Sequence, residues 1–240
     1  AVTLPRTDDT EQHGIFGISW AGGQAAIVGD ITSENQDTVT RQLQETTVPL
    51  PDHTKVAFHR EVFLNDALRN TLGLTIRTIQ IPGPLGQLPT WYVPGKLGTW
   101  AILVHGQNDE LDSGLRFFEP LAKFGMPILE ASYRNDVGAP ASPDGLLHLG
   151  ESEWQDVEAS AKYAMAHGAH HIVIYGWSMG GAISEEFMHH STYASKVQAL
   201  VLDAPVFDWR STLNFQAESR HLPDAFASVV ESVVTLRTSI

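Results

Sequence analysis

The sequence predicts an α/β fold: a mostly parallel sheet with flanking helices, preceded by a small β-rich N-terminal extension. Three observations predict it. Four near-continuous apolar runs recur between residues 99 and 204, the pattern of strands covered on both faces. Helix-like periodicity fills the gaps between them, and strand–helix alternation folds into a doubly wound sheet. Residues before about 72 have a different texture, rich in Thr, Gly, Gln and Asp, with short alternating runs.

The elements follow in order. GIFGISW (14–20), QAAIVGDI (24–31) and TVTRQLQ (38–44) alternate as strands joined by turns, with no helix among them. VPLPDH (48–53) reads as a turn or linker. These observations place a β-rich extension at 1–72 and the α/β domain at 73–240. LTIRTIQI (74–81) and QLPTWYV (87–93) flank Pro-Gly-Pro-Leu-Gly and form a hairpin. The buried strands are TWAILVH (99–105), MPILEASY (126–133), HIVIYGW (171–177) and VQALVLDA (197–204). Ser152-Glu153-Trp154-Gln155 fits a capping box, and Trp154, Val157, Ala161 and Ala164 then mark one buried helix face. Gly168 stops that helix before the next strand.

Bulk composition narrows the function classes. The 240 residues are 42% hydrophobic, enough for one large domain with an extension. With 28 acidic against 15 basic residues the formal charge is −13, which opposes nucleic acid or anionic lipid on the general surface. Cysteine is absent, which excludes disulfides, thiolate chemistry and Cys-zinc sites. No apolar run reaches the roughly 18 residues of a membrane span. The chain starts at Ala1 without a signal-peptide pattern, as a processed or excised piece would.

HIVIYGWSMGGAI (171–183) carries the chemistry. Gly176-Trp177-Ser178-Met179-Gly180 fits G-x-S-x-G at a predicted strand-to-helix junction. The sharp turn strains the serine backbone and lifts Oγ above the sheet, while the flanking glycines leave room for a crossing chain and a substrate. Ala182, Ile183 and Phe187 form the apolar face of the helix that follows. A helix N-terminus concentrates free N–H donors, so the Met179 N–H faces an oxyanion formed at Ser178. LVHGQN (103–108), a strand ending in His-Gly, supplies a second donor in the Gln107 backbone N–H. The motif alone arises by chance in Gly- and Ser-rich loops. Here a strand precedes it, a helix follows, and the His-Gly strand end lies upstream, and together these favour a reactive serine.

From about residue 75 onward the chain resembles the serine α/β-hydrolase superfamily of esterases, lipases and acyl-peptidase-like enzymes, over its first six strands. ILVHGQN resembles the oxyanion strand and GWSMGGA the nucleophile elbow. Residues 133–164 are similar to the loop and helix of a branch containing secreted or membrane-anchored acyl hydrolases, and VLDAPVFDW (201–209) to that branch's sixth strand. The resemblance implies an α/β-hydrolase-type sheet and hydrolysis of an ester or related acyl bond by Ser178 in a small-molecule substrate, with no metal or organic cofactor. It also implies secretion or membrane anchoring through an upstream segment. The resemblance says little about residues 1–70, which are assigned to no family from it.

A serine hydroxyl needs an imidazole to take its proton and a carboxylate to orient that imidazole. In this fold the acid and then the histidine follow the serine in the chain. Downstream stand His189, His190 and His221, with Asp203, Asp208 and Asp224. His189 and His190 fall at the far end of the elbow helix, where they complement its C-terminus. His221 precedes a helical pattern of Val229, Val230, Val233, Val234 and Leu236 that reads as a cap helix. The resemblance implies two further strands, carrying the acid and the histidine, and neither is present. The domain is therefore expected to be C-terminally incomplete and inactive alone, with a missing C-terminal segment or another chain completing the sheet. The alternatives are a triad improvised from His221 and Asp208, and a noncatalytic binding or scaffold protein of the same fold. His167, His170 and His171 line an exposed loop rather than a metal site, and Trp177 packs or shapes a pocket. His105 holds the oxyanion loop through its ring nitrogens, and Asp109 and Glu110 are solvated charge at the cleft mouth.

Overall fold

The computed structural model describes residues 1–22, 24–46, 49–59 and 73–219. Among them the chain divides into two compact units, residues 1–75 with 115–119, and residues 76–114 with 120–219. His221, Asp224 and the expected cap helix at 229–236 lie outside the described residues.

The first unit is an antiparallel sheet of β1 (Val2–Pro5), β2 (Phe16–Trp20), β3 (Gln24–Glu34), β4 (Thr38–Thr46) and β5 (Ala57–His59), in the order β1-β4-β3-β2-β5. The alternating runs supply β2, β3 and β4. The first and last strands, of four and three residues, are too short to show a period. Asn35 turns the chain between β3 and β4, its Oδ1 accepting the N–H groups of Asp37 and Thr38 at 2.8 Å each. Leu4, Phe16, Ile18, Ala26 and Val28 fill the core. Beside them Arg41 is fully buried and donates to the carbonyls of Thr10, Gln12, Gly14 and Gly29. Its guanidinium lies 4.7 Å from the Phe16 ring centroid. Five N–H donors in a planar fork let one side chain pin the irregular 10–14 segment from inside.

The second unit is a six-stranded sheet, β6 (Arg77–Pro82), β7 (Gln87–Val93), β8 (Thr99–Val104), β9 (Ile128–Ala131), β10 (His171–Trp177) and β11 (Val197–Asp203), in the order β11-β10-β8-β9-β7-β6. The chain-order helices are α1 (Leu115–Lys123), α2 (Trp154–Ala166), α3 (Met179–His190) and α4 (Trp209–Ser219). β8, β9, β10 and β11 pair in parallel, and the β6–β7 hairpin joins β9 antiparallel through β7. Trp100, Ile102 and Val104 of β8 and Ile172 and Ile174 of β10 pack with Val157, Ala161 and Ala164 of α2 and Ile183 and Phe187 of α3. No helix among the described residues is long and apolar enough to cross a membrane.

Two local expectations fail for physical reasons. The capping box at 152–155 does not form: Glu153 is the N-cap residue of α2, and no side chain caps the helix. Ser152 Oγ lies instead 2.9 Å from His148 Nδ1, while the buried Glu153 carboxylate reaches back to the N–H groups of His148 and Gly150. The apolar run of β11 is not covered on both faces. Among the described residues it is the end strand of the sheet, and Val201 is 40% exposed. Apolarity marked it as a strand without revealing how many neighbours it has.

A buried ion pair ties the long connection after β9 to α2. Asp156 accepts from Arg134 Nε at 2.7 Å, from Arg134 Nη2 at 3.2 Å and from the Arg134 backbone N–H at 2.9 Å. Their side chains are 1% and 6% exposed, so removing one partner strands a charge without solvent. Asp156→Ala is expected to lower the unfolding free energy by about 3–5 kcal/mol in urea titration. The double substitution Arg134→Met with Asp156→Leu should lose less, because no charge is left unpaired. An Asp156→Ala loss under 1 kcal/mol counts against this account.

Candidate active site

Ser178 stands between the end of β10 and the start of α3, with φ 54° and ψ −124°. A non-glycine residue rarely occupies that region, and it persists only where surrounding contacts over-determine it. Both backbone groups of Ser178 are held from the connection that leaves β11. Its N–H donates to the Asp203 carbonyl at 3.1 Å, and its carbonyl accepts from the Val206 N–H at 3.1 Å. Ala204, between them, also has positive φ, at 44°. The elbow thus depends on the neighbouring strand and on tight approach beneath it. At Gly180 a Cβ would collide with the Val104 carbonyl, so only glycine lets α3 begin this close to β8.

The end of β8 meets the elbow from the other side. A Cβ placed on Gly106 would lie 3.0 Å from Ser178 Cβ and 3.4 Å from its Oγ, so the His105–Asn108 turn abuts the nucleophile position. Asn108 turns the chain with φ 61°. Met179 is fully buried at the first position of α3, and Gln107 is exposed. The structure therefore brings Ser178, Met179 and the Gly106–Gln107 peptide to one end of the sheet.

Under that turn lies a polar cluster assembled from distant residues. His105 is 1% exposed, with Nδ1 2.9 Å from the Gly106 carbonyl and Nε2 3.0 Å from Asp136 Oδ2. The Tyr133 hydroxyl donates to the same Gly106 carbonyl at 2.9 Å, and its ring stacks on His105 at 4.4 Å. Asp136 also accepts the Tyr133 backbone N–H at 2.7 Å. His105 Nε2 faces the Asp136 carboxylate, while Nδ1 faces both the Gly106 carbonyl and the Tyr133 hydroxyl, the latter at 3.1 Å, so a protonated Nδ1 donates to the carbonyl and a bare Nδ1 accepts from the hydroxyl. Burial, the largest single influence, pulls the His105 pKa down. The hydrogen bond and charge of Asp136, the Gly106 carbonyl and the charge of Asp109 outweigh it, and the pKa is raised above 6.5. The Tyr133 hydroxyl is pushed well above its ordinary value, first by burial and then by Asp136 and Asp109.

The remaining candidates disperse. His189 and His190 sit on the exposed end of α3 beside Glu185 and Glu186, at 3.9 Å and 3.1 Å. Asp203 accepts the Tyr175 hydroxyl at 3.3 Å. Asp208 accepts the Ser211 hydroxyl at 2.6 Å and its N–H at 3.0 Å, contacts that hold its carboxyl below the usual range. His167 lies on Tyr163 at the end of α2. Among the described residues no imidazole hydrogen-bonds Ser178 Oγ, and no group of three or more His, Asp or Glu side chains is placed to hold a metal ion. Asp109 departs from its reading as solvated charge. Its Oδ2 accepts the Trp177 indole N–H at 2.8 Å and the Gly106 N–H at 3.3 Å. Asp136 and Tyr133 went unread because they are 31 and 28 residues from His105, beyond any local pattern.

Residues 1–59 match a family described as a domain of unknown function, DUF8805. None of the curated proteins matches the chain by sequence. Among solved structures, the chain is similar to the Pyrococcus furiosus esterase Pf2001 in three crystal forms. In the first the TM-score is 0.56 at 19% identity, covering 68% of this chain and 63% of the esterase. In the second it is 0.54 at 19% identity, covering 71% and 68%. In the third it is 0.52 at 19% identity, covering 70% and 63%. In the first and third comparisons the chain thus spans less than two thirds of the esterase. The fold is that of the α/β hydrolases, with a small β-rich region at the N-terminus.

The His105 geometry sets a pH dependence. A folded-state pKa raised above 6.5 gives stabilisation that is complete below that value and is lost as pH rises through the folded pKa. Asp136→Asn removes the charge that sustains the imidazolium while keeping an acceptor for Tyr133. The stability gap between wild type and Asp136→Asn is expected to be widest below pH 6.5 and to narrow as pH rises, in urea unfolding at a series of pH values. NMR titration should place the His105 ring lower in the variant. A gap independent of pH would contradict the imidazolium.

Proposed function

We propose that the protein is a serine hydrolase, a carboxylesterase or close relative, that cleaves ester or related acyl bonds through an acyl-enzyme on Ser178. The observation that carries this reading is the strained Ser178 backbone at a strand-to-helix junction, held on both sides and abutted by the Gly106–Gln107 turn. A conformation that costs on the order of 1–3 kcal/mol is retained where it serves a site. The esterase name carried by the similar Pyrococcus structure supports the same reading.

In this mechanism Ser178 Oγ attacks the acyl carbon while an imidazole takes its proton. The carbonyl oxygen becomes an oxyanion that accepts from the Met179 and Gln107 N–H groups. The tetrahedral adduct collapses to an acyl-serine, and the imidazolium returns the proton to the departing alcohol. Water repeats the sequence and releases the acid. None of the described residues places an imidazole at Ser178 Oγ, so this reading takes the base and its carboxylate from residues outside the described ones or from another polypeptide. We also propose that a further strand, from elsewhere in the protein or from another chain, pairs with the outer edge of β11. That edge is the end of the sheet among the described residues and exposes Val201. The lack of a bonded imidazole is also what a noncatalytic binding protein of this fold would have, and covalent capture separates the two.

A fluorophosphonate probe should label the full-length protein once, at Ser178 by peptide mass mapping. Ser178→Ala should remove labelling and lower p-nitrophenyl ester turnover by at least ~10⁴-fold without unfolding the protein. Undiminished turnover in a pure preparation of that variant would overturn the assignment. Absence of labelling in an intact, folded wild type would favour the binding protein. For the sheet edge, hydrogen exchange in the full-length protein should protect the outward-facing β11 amides as well as those paired to β10. Rapid exchange at the outward set would leave the edge unpaired.

A further inference from the structure

The geometry points to Asp109 as a positioning residue that locks the oxyanion turn to the nucleophile elbow. This role rests on the hydrolase reading above and adds to it a residue that touches neither the nucleophile nor the oxyanion.

The two proposed oxyanion donors belong to different strands. Gln107 follows β8, Met179 follows β10, and the β8–β10 ladder ends at the Val104–Gly176 rung. Beyond that rung no ladder bond sets the spacing of the two N–H groups, and catalysis by fixed donors depends on that spacing. Asp109 bridges the gap. Its Oδ2 accepts the indole N–H of Trp177, the residue just before the nucleophile, at 2.8 Å across 68 positions of sequence. The same oxygen accepts the Gly106 N–H at 3.3 Å, and the Asp109 N–H closes the turn on the Gly106 carbonyl at 3.4 Å. One carboxylate oxygen therefore holds both sides.

The bridge also assigns the donors of the turn. The Gly106 N–H is spent on Asp109, which leaves the next N–H, that of Gln107, for the oxyanion. The Gly106 carbonyl, on the other side of the same peptide, accepts from the Tyr133 hydroxyl and faces His105 Nδ1. Held at its carbonyl by this cluster and at the preceding N–H by Asp109, the Gly106–Gln107 peptide plane cannot rotate freely. Part of the negative charge of Asp109 is offset by the two N–H donors that its Oδ2 accepts. Trp177 is 6% exposed, so the indole bond is shielded from competing water.

The test uses the full-length protein and four variants: Asp109→Ala, Asp109→Asn, Trp177→Phe, and Asp109→Ala with Trp177→Phe. The readouts are the fluorophosphonate labelling rate at Ser178 and kcat and KM on a p-nitrophenyl ester. Asp109→Ala is expected to lower kcat and the labelling rate about 10–100-fold with KM changed less than about twofold, the mark of displaced donors rather than lost binding. Asp109→Asn keeps an acceptor oxygen and should recover most of that loss. Trp177→Phe should show a smaller defect, and the double variant should be no slower than Asp109→Ala, because both remove one bond. A labelled wild type with an equally fast Asp109→Ala overturns the role, as does strict additivity of the two single defects. Equal losses in Asp109→Asn and Asp109→Ala overturn it too, since that pattern assigns the effect to charge. A folded wild type that the probe leaves unlabelled overturns the hydrolase reading itself, and this role with it.

Discussion

The backbone of Ser178 is the constraint on which the rest of the second unit depends. A serine at φ 54° is unfavourable on its own, and two hydrogen bonds to the Asp203–Val206 connection keep it there. Those bonds exist only because β11 lies beside β10 in a register that ends with Trp177 opposite Asp203. On the other side α3 starts close to β8, which requires glycine at position 180, beneath the Val104 carbonyl. A buried parallel sheet, a register and a glycine thus all bear on one dihedral angle. Strain of this size is small against the burial that opposes it: Ile172, Ile174, Ile183 and Phe187 are all fully buried around the elbow, and each such side chain contributes about 1.5–3 kcal/mol by leaving water.

Legibility in the sequence followed the range of the interaction. The parallel strands β8, β9 and β10 were readable because continuous burial leaves continuous apolarity, and the elbow because its residues are adjacent. The heart of α2 was readable too, since Val157, Ala161 and Ala164 share one face over two turns. Its start was not. Ser152 fits a cap by type, but its hydroxyl is engaged by His148, and no local rule weighs a loop histidine against a helix end. The edge position of β11 followed from the expected missing strands, but the exposure of its faces did not, because the same apolar run suits a strand covered on both faces. In the first unit Arg41 sat in an alternating run where the pattern alone placed it on one side of a strand. That it lies inside, with four carbonyls around it, depends on the 10–14 segment folding over it.

The candidate site was legible at its motif positions and illegible in its support. Ser178, Met179 and Gln107 stand at motif positions. His105, Tyr133, Asp136 and Asp109 support them from loops that follow β8 and β9, and only the folded sheet brings those loops together. The 133–153 connection is itself fixed from within. Asn135 Nδ2 donates to the Leu146 carbonyl at 2.9 Å, and Asn135 Oδ1 accepts the Ser142 N–H at 2.9 Å. The Asp144 carboxyl is held at about 2, first by the Leu146 N–H and then by its His148 and Ser142 hydrogen bonds. A connection without regular structure becomes a rigid wall in this way, because its backbone groups are satisfied by its own side chains. Asp136 can then hold His105 from a fixed base.

The net charge of the whole chain does not by itself set the potential at Ser178. A formal −13 disfavours any negative charge developing nearby. At physiological ionic strength, however, exposed charges are screened over about 8 Å, and about half of the acidic residues among those described are exposed. Buried groups are screened least: the N-terminal turn of α3 next to Ser178, with Met179 and Gly180 buried, is one such group, while His105, 1% exposed, is paired with Asp136. The helix turn presents positive potential through its free N–H groups. Asp109 is half-buried and directs its carboxylate at the indole and the Gly106 N–H, so part of its charge is neutralised by donors. Screening therefore separates the exposed acidic surface from the serine, where the N–H groups of the elbow act at short range. That separation lets one end of the sheet favour an anion inside a strongly acidic protein.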